Sequence, residues 1–68
     1  MIRLRVNGVE GDVAAATLAE LLLARGIDPK ARFLAIAVNG AVVRRAEWLV
    51  RPLSPGDDVE IVRPLSGG

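Results

Sequence analysis

Apolar and polar residues alternate at the beginning of the chain, where residues 2–6 read Ile-Arg-Leu-Arg-Val. This period of two is the pattern of a β-strand that has one buried and one solvated face. Asn7-Gly8 follows, and this dipeptide is typical of a type I′ turn because both of its positions need a positive φ angle. The alternation resumes from Val9 to Val13, so the pattern predicts an N-terminal β-hairpin.

The next segment changes to helical spacing. Thr17 and Glu20 match a capping box, in which the Thr hydroxyl accepts the backbone N–H of Glu20 and the Glu carboxylate accepts that of Thr17. Leucines follow at positions three and four apart, and Gly26 stands where a left-handed residue ends a helix. Ile27 would then contact Leu22 in a Schellman motif. The pattern predicts one short helix between these two caps.

A long apolar run begins the second half of the chain. Residues 33–38 read Phe-Leu-Ala-Ile-Ala-Val, which is typical of a strand buried on both faces or nearly so. Asn39-Gly40 again favours a tight turn, and Ala41-Val42-Val43 is apolar and β-branched. We therefore predict a second β-hairpin.

The remainder contains a short helical turn at residues 45–48, a Pro-Gly turn at 54–57 and a last strand around Val59 and Ile61. The resulting order, β-β-α-β-β-turn-β, favours one helix packed across a mixed sheet of four or five strands. This is the outline of an α+β domain of the β-grasp, or ubiquitin-like, type. The predicted core comprises Ile2, Leu4, Leu18, Leu21, Leu22, Ile36, Val38, Val59 and Ile61.

The composition of the chain limits the classes of function that it can have. A chain of 68 residues that is 51% hydrophobic and 25% charged forms one small core, and a substrate pocket would consume most of it. The chain has neither cysteine nor histidine, which removes the thiolate nucleophile, the usual general base and the commonest metal ligands. A carrier or binding module is therefore expected rather than an enzyme, with no metal site.

Charge and hydropathy argue against two partner classes. The net charge of +1 falls short of the basic balance of a nucleic-acid-binding module. No segment approaches the roughly 20 apolar residues of a membrane span, and the start of the chain does not resemble a secretory signal. We expect no nucleic-acid or membrane partner and a cytoplasmic location.

Residues 1–63 are predicted to form the domain, and residues 64–68 a flexible tail that ends in Gly67-Gly68. Two interpretations are open at this point: a frayed end, or an arm that presents its own carboxylate to another protein. Glycine has no Cβ, so its backbone enters a narrow channel and leaves the terminal carbonyl carbon unhindered. Five residues span at most about 17 Å. The ionised carboxylate is a poor electrophile, so an ATP-using partner would have to activate it.

Other candidates have plainer interpretations. Trp48 is interpreted as a core residue, with an interface anchor as the alternative. Arg44-Arg45 with Arg51 would suit an acidic partner, but neighbouring carboxylates favour a solvated surface of mixed charge. Asp57-Asp58 is not an acid/base pair, because consecutive strand residues face opposite ways.

The chain resembles the ThiS family of sulfur carrier proteins of thiamine biosynthesis. The resemblance rests on Ala37–Gly40, Val42-Val43, residues 45–48 (Arg-Ala-Glu-Trp), residues 55–64 and the terminal Gly67-Gly68. Gly-Asp before a closing strand and a Gly-Gly end are shared with other β-grasp carriers. The Asn-Gly, Val-Val, Glu-Trp spacing is closer to this family alone.

The resemblance implies a mechanism. An E1-like adenylyltransferase would use ATP to adenylate the Gly68 carboxylate, and sulfur from a cysteine desulfurase would convert it to a thiocarboxylate. Thiazole synthase would then take the sulfur for the thiazole moiety of thiamine. Gly67, Ser66 and Leu65 would be presented to the partner with Gly68; Leu65-Ser66 replaces the Val-Ala or Ile-Ala expected in the family. The chain itself would bind no cofactor and have no catalytic residue.

Two alternatives stay open. A small subunit of molybdopterin synthase uses the same thiocarboxylate chemistry, although such chains are usually longer and lack this Glu-Trp context. A non-catalytic β-grasp interaction module would make Gly67-Gly68 incidental.

Overall fold

The secondary structure follows the order predicted from the sequence. The computed structural model describes residues 1–63. Its strands are β1 (Ile2–Val6), β2 (Val9–Val13), β3 (Ala35–Val38), β4 (Ala41–Val43) and β5 (Asp58–Val62). The helix α1 comprises Leu18–Ala24, and Arg45–Glu47 form a short 3₁₀ turn.

The five strands form one mixed sheet in the order β2-β1-β5-β3-β4. β1 and β5 are parallel, and every other pair of neighbours is antiparallel. Leu18, Leu21 and Leu22 of α1 are buried in the same cluster as the inward-facing residues of the sheet, whereas Leu23 is exposed. One helix on a five-stranded mixed sheet is the β-grasp fold, so the predicted fold class is confirmed.

Both Asn-Gly turns are present where the sequence predicts them. Asn7 and Gly8 have φ angles of 51° and 83°, and Asn39 and Gly40 have 53° and 84°. Two consecutive positive φ angles are what a type I′ turn requires, and Asn and Gly adopt them at little cost. The turns join β1 to β2 and β3 to β4 in register.

The helix caps are confirmed with one correction. Thr17 Oγ1 accepts the backbone N–H of Glu20 at 3.2 Å. The Glu20 carboxylate accepts the backbone N–H of Ala16 at 2.9 Å, one residue before the predicted Thr17. At the other end Gly26 has a φ of 74°, and the N–H of Ile27 donates to the carbonyl of Leu22 at 2.8 Å, as in a Schellman motif.

Eight of the nine predicted core residues are buried, and Ile2 is partly buried against them. Trp48 is 2% exposed, so its interpretation as a core residue is confirmed. The segment that follows the 3₁₀ turn also contributes Leu53 to the core. Residues after β4 therefore close the side of the core that the helix leaves open.

The prediction for residues 33–38 is wrong in two respects. β3 begins at Ala35, and Phe33 lies outside it with a φ of 59° and 78% of its surface exposed. β3 is also buried on one face only, because Ala35 is exposed and Ala37 is half-buried. The helix covers a single face of the sheet, and small alanines on the other face made the run look uniformly apolar.

Candidate functional site

The candidate site is the end of the sheet at which β5 stops, because the candidate residues follow β5 along the chain. β5 ends at Val62, which pairs with Ala35 at the beginning of β3. Leu65, Ser66, Gly67 and Gly68, the site residues implied by the sequence, lie outside the described residues. Their roles stay predictions, and the structure defines the surface around the end of β5, which precedes them in the chain.

β5 is held rigidly on both sides. Four residues pair with β3 and two with β1. Val59 is fully buried and Ile61 is 9% exposed. A central strand with this many partners fixes the position from which the following residues start.

The first Asn-Gly turn contributes to this anchoring, which the sequence did not reveal. Asn7 Oδ1 accepts the backbone N–H of Ile61 at 2.7 Å, and the Asn7 N–H donates to the carbonyl of Val59 at 2.8 Å. Asn7 therefore continues the parallel pairing of β1 and β5 beyond the end of β1. The turn of the first hairpin is therefore hydrogen-bonded to β5 one residue before that strand ends.

The second Asn-Gly turn fixes the other end of β5. Asn39 Oδ1 accepts the N–H of Asp58 at 2.9 Å, and Asn39 Nδ2 donates to Asp57 Oδ1 at 3.1 Å. Asp57 is 9% exposed, and its other oxygen accepts the N–H of Ser54 at 2.9 Å. Asp57 thus ties two turns together, whereas Asp58 lies 4.0 Å from Arg5 on the open face. The two carboxylates serve separate contacts.

The open face of the sheet has a charged part and an apolar part. On β1 and β2, Arg3 lies 3.5 Å from both Glu10 and Asp12. The apolar part covers β3, β4 and the end of β5, where the register places Ala35 opposite Val62 and Ala37 opposite Val42. Directly opposed residues point to the same face. Val42 is 79% exposed and Val62 57%, and the exposed Glu60, which pairs with Ala37, shares this face with them.

The predicted basic cluster does not form one patch. The guanidinium of Arg45 donates to the carbonyls of Pro29 and Ala31 and lies 4.7 Å from the centroid of the Trp48 ring. Arg44 lies 3.9 Å from Glu47. Arg45 therefore holds the loop before β3, and the surface has mixed charge as expected.

Trp48 closes the side of the core beneath Arg45. Its indole N–H donates to the carbonyl of Val43 at 2.9 Å. A shallow groove lies beside it, lined by α1, the 3₁₀ turn and residues 28–30. Within this groove Asp28 accepts the N–H of Lys30 at 2.9 Å, so the carboxylate supports the loop.

Two negative findings concern residues 1–63. Among them no three Asp, Glu, His or Cys side chains come together as metal ligands would. The same part of the chain has no helix of the length and hydropathy needed to span a membrane.

Comparison with known proteins gives a consistent result. The model of the ThiS family matches residues 4–68. A crystal structure of the thiamine biosynthesis protein ThiS from Geobacter metallireducens superposes with a TM-score of 0.78 and 30% identity, covering 98% of this chain and 100% of that chain. An NMR solution structure of a thiamine biosynthesis protein from Geobacter metallireducens gives the same values over 98% and 88% of the two chains. No curated protein matches the sequence.

Proposed function

Because the chain belongs to the ThiS family, we propose that it carries sulfur as a thiocarboxylate on Gly68 for the thiazole moiety of thiamine. Family membership supports the sulfur-carrier role in general, and the chemistry at the terminus is the finer part of the proposal. The observation that carries it is the extent of the family match, which runs to residue 68 and so includes Gly67-Gly68.

The terminal carboxylate needs activation before sulfur can be attached. A Gly68 oxygen attacks the α-phosphorus of ATP, pyrophosphate leaves, and the carboxylate becomes an acyl adenylate. The outer sulfur of a persulfide then attacks the carbonyl carbon, and AMP leaves, which gives an acyl disulfide. A thiol cleaves this disulfide, so the thiocarboxylate is released and the thiol is oxidised to a disulfide. An E1-like adenylyltransferase performs the first step, and a cysteine desulfurase is the source of the sulfur in the second.

The domain supports this role by position. β5 is fixed between β1 and β3, and the five residues after Arg63 reach at most about 17 Å. A partner that holds Gly68 in its active site must therefore lie against this end of the domain. The apolar part of the open face, next to Val62, is the surface that such a partner meets first.

The chain acts in this scheme as a carrier that enzymes modify. It contains no cysteine or histidine, so nucleophile, general base and ATP site belong to the partners. Thiazole synthase is the acceptor of the sulfur. Gly67 matters because a residue without Cβ passes a channel that a branched side chain would block.

The proposal is tested by the intact mass of the full chain after incubation with an E1-like enzyme of thiamine biosynthesis, ATP, a cysteine desulfurase and cysteine in excess, which is both the sulfur source and the thiol reductant. We expect the mass to rise by the exchange of one oxygen for one sulfur, located in the C-terminal peptide. A chain that lacks Gly68 is the control and should keep its fold but gain no sulfur. Sulfur on the truncated chain, or none on the full chain with an active enzyme, would contradict the proposal.

Gly67→Val provides a second control. Its bulk should block adenylation while the melting temperature stays within a few degrees of wild type, since the substitution follows the last residue of β5 by five positions. Normal adenylation of this variant would show that no narrow channel receives the tail.

A further inference from the structure

Phe33 is an aromatic side chain that the fold leaves in water. It is the only phenylalanine of the chain, and 78% of its surface is exposed. Its φ of 59° places it in the left-handed region, which is unfavourable for a bulky residue. A glycine would relieve the strain, and a polar residue would suit the solvent, so the fold itself does not explain a phenylalanine here.

Phe33 lies near the end of β5, the last described strand before Gly68 in the sequence. It precedes Ala35 by two residues, and Ala35 pairs with Val62 at the end of β5. A pair of opposed Cα atoms is about 5 Å apart and each residue adds at most about 3.6 Å. The Cα atoms of Phe33 and Val62 are therefore within about 13 Å of each other, which is less than the reach of the tail.

Basic residues flank this position on both segments. Arg32 is the neighbour of Phe33 and Arg63 is the neighbour of Val62. Within residues 1–63, Lys30, Arg32 and Arg63 have no carboxylate within 4.0 Å. Asp28 is the carboxylate of this loop, and it accepts a backbone N–H. Three cations without an ion-pair partner among these residues therefore belong to the two segments that meet here, whereas the exposed carboxylate of Glu60 lies two residues before Val62 on β5.

Strained, exposed residues that the local structure does not need are often retained for binding. A single exposed aromatic with an Arg neighbour is also the composition of an interface anchor. The Phe33 ring is exposed, cations without ion-pair partners in the described part of the chain belong to the neighbouring segments, and the end of β5 is close. From these three observations we infer that Phe33 anchors the chain on the enzyme that adenylates Gly68. We expect the Phe33 ring to enter an apolar pocket of that enzyme. The cations would face acidic residues at the edge of this pocket, which we call the acidic rim. The inference rests on the proposed function and adds the residue that determines recognition of the partner.

The test is the steady-state kinetics of adenylation with the full chain as the varied substrate. Phe33→Gly accepts the positive φ and removes the ring, so we expect KM to rise about tenfold or more while kcat stays within about twofold of wild type. Phe33→Tyr keeps an aromatic ring and should retain a near-normal KM. Thermal melting of each variant verifies that the domain is folded.

Val50→Ser is the matched control. Val50 is 74% exposed, and the backbone carbonyl of its neighbour Arg51 accepts the N–H of Leu18 at the start of α1. The start of α1 follows β2, and the last residue of β2, Val13, pairs with Ile2 at the beginning of β1. Because β1 and β5 are parallel, the beginning of β1 and the end of β5 lie at opposite ends of the sheet, so Val50 is far from Val62. Loss of this exposed apolar side chain should leave KM unchanged.

The acidic rim is tested by Arg32→Glu. We expect its KM to exceed that of wild type severalfold at low ionic strength, with the difference shrinking as salt is added. A KM that is indifferent to this reversal would overturn the acidic rim.

The outcomes separate the anchor from the proposed function. If the wild-type chain is not adenylated at all, the proposed function fails and the anchor fails with it. If the wild type is adenylated but Phe33→Gly has the same KM, or Val50→Ser raises KM equally, the anchor alone is wrong. If sedimentation shows that the wild type self-associates and Phe33→Gly does not, the ring binds a second copy and the assignment to the enzyme is overturned.

Discussion

Replacing Asn39 with glycine tests whether the second Asn-Gly turn holds β5 in place. The variant keeps the positive φ, which glycine adopts freely, and keeps the backbone bond from the Asn39 N–H to the carbonyl of Asp58 at 2.8 Å. It removes only the two side-chain bonds, to the N–H of Asp58 and to the carboxylate of Asp57. The loss is therefore confined to the link between β4's hairpin and β5.

The magnitude follows from the two bonds. A hydrogen bond to a charged group contributes about 1.5–3 kcal/mol and a neutral one about 0.5–1.5 kcal/mol. We expect Asn39→Gly to lower the free energy of unfolding by about 2–4.5 kcal/mol, the sum of the two contributions. A domain of this size has about 3–10 kcal/mol in total, so the variant should be markedly less stable.

Asn7→Gly is the matched control. It makes the same substitution in the same kind of turn, where φ is 51°, and removes one neutral bond, from the N–H of Ile61. The backbone cost of the extra glycine is common to both variants and cancels in the comparison. Asn39→Gly should thus be about 1.5–3 kcal/mol less stable than Asn7→Gly, which corresponds to about 6–24 °C in melting temperature.

The assay is urea unfolding followed by the fluorescence of Trp48, which is the only tryptophan and is 2% exposed. Circular dichroism of the same samples verifies two-state behaviour. Equal stability of the two variants would refute the reasoning, because it would mean that the bond to the Asp57 carboxylate contributes nothing beyond an ordinary turn contact.

Three further predictions concern packing and charge. Trp48→Phe removes the donor to the carbonyl of Val43, so urea unfolding followed by circular dichroism should show a loss of about 1–3 kcal/mol; an unchanged midpoint would contradict this. Leu22→Ala empties a fully buried position and should cost about 2–5 kcal/mol by the same measurement, enough to leave much of the chain unfolded at 37 °C; a loss below about 1 kcal/mol would show that the site collapses. Asn39→Asp sets a second carboxylate against that of Asp57, so urea unfolding should show the variant to be less stable than wild type because like charges repel at this distance; equal midpoints would argue against direct contact.

The sequence predicted those features that neighbouring residues determine. The positive φ angles at Asn7-Gly8 and Asn39-Gly40, the Thr17 cap and the Gly26 terminus all depend on residues within one turn of each other. Alternation of apolar residues also identified most of the core, because a strand with one solvated face shows it directly.

Features that depend on strand register were not predictable in the same way. The second role of Asn7 requires Ile61 to lie beside it, and the burial of Asp57 requires Asn39 to lie opposite. The exposure of Phe33 follows from where β3 begins, which the apolar run obscured. Within the candidate site, Gly68 came from the terminal Gly-Gly and the family resemblance, whereas the surface around its exit required the structure.

The central position of β5 has a consequence for how the protein is made. Among residues 1–63, β5 is the last strand in sequence, yet it separates β1 from β3 in the sheet. During translation, the β1–β2 hairpin and the β3–β4 hairpin cannot join into one sheet until residues 58–62 emerge from the ribosome. We therefore expect the domain to fold late, through contacts between residues that are distant in sequence. A ribosome that stops early releases a chain without its middle strand, which cellular proteases can degrade. The segment that precedes Gly68 is thus also the segment that joins the two hairpins into one sheet.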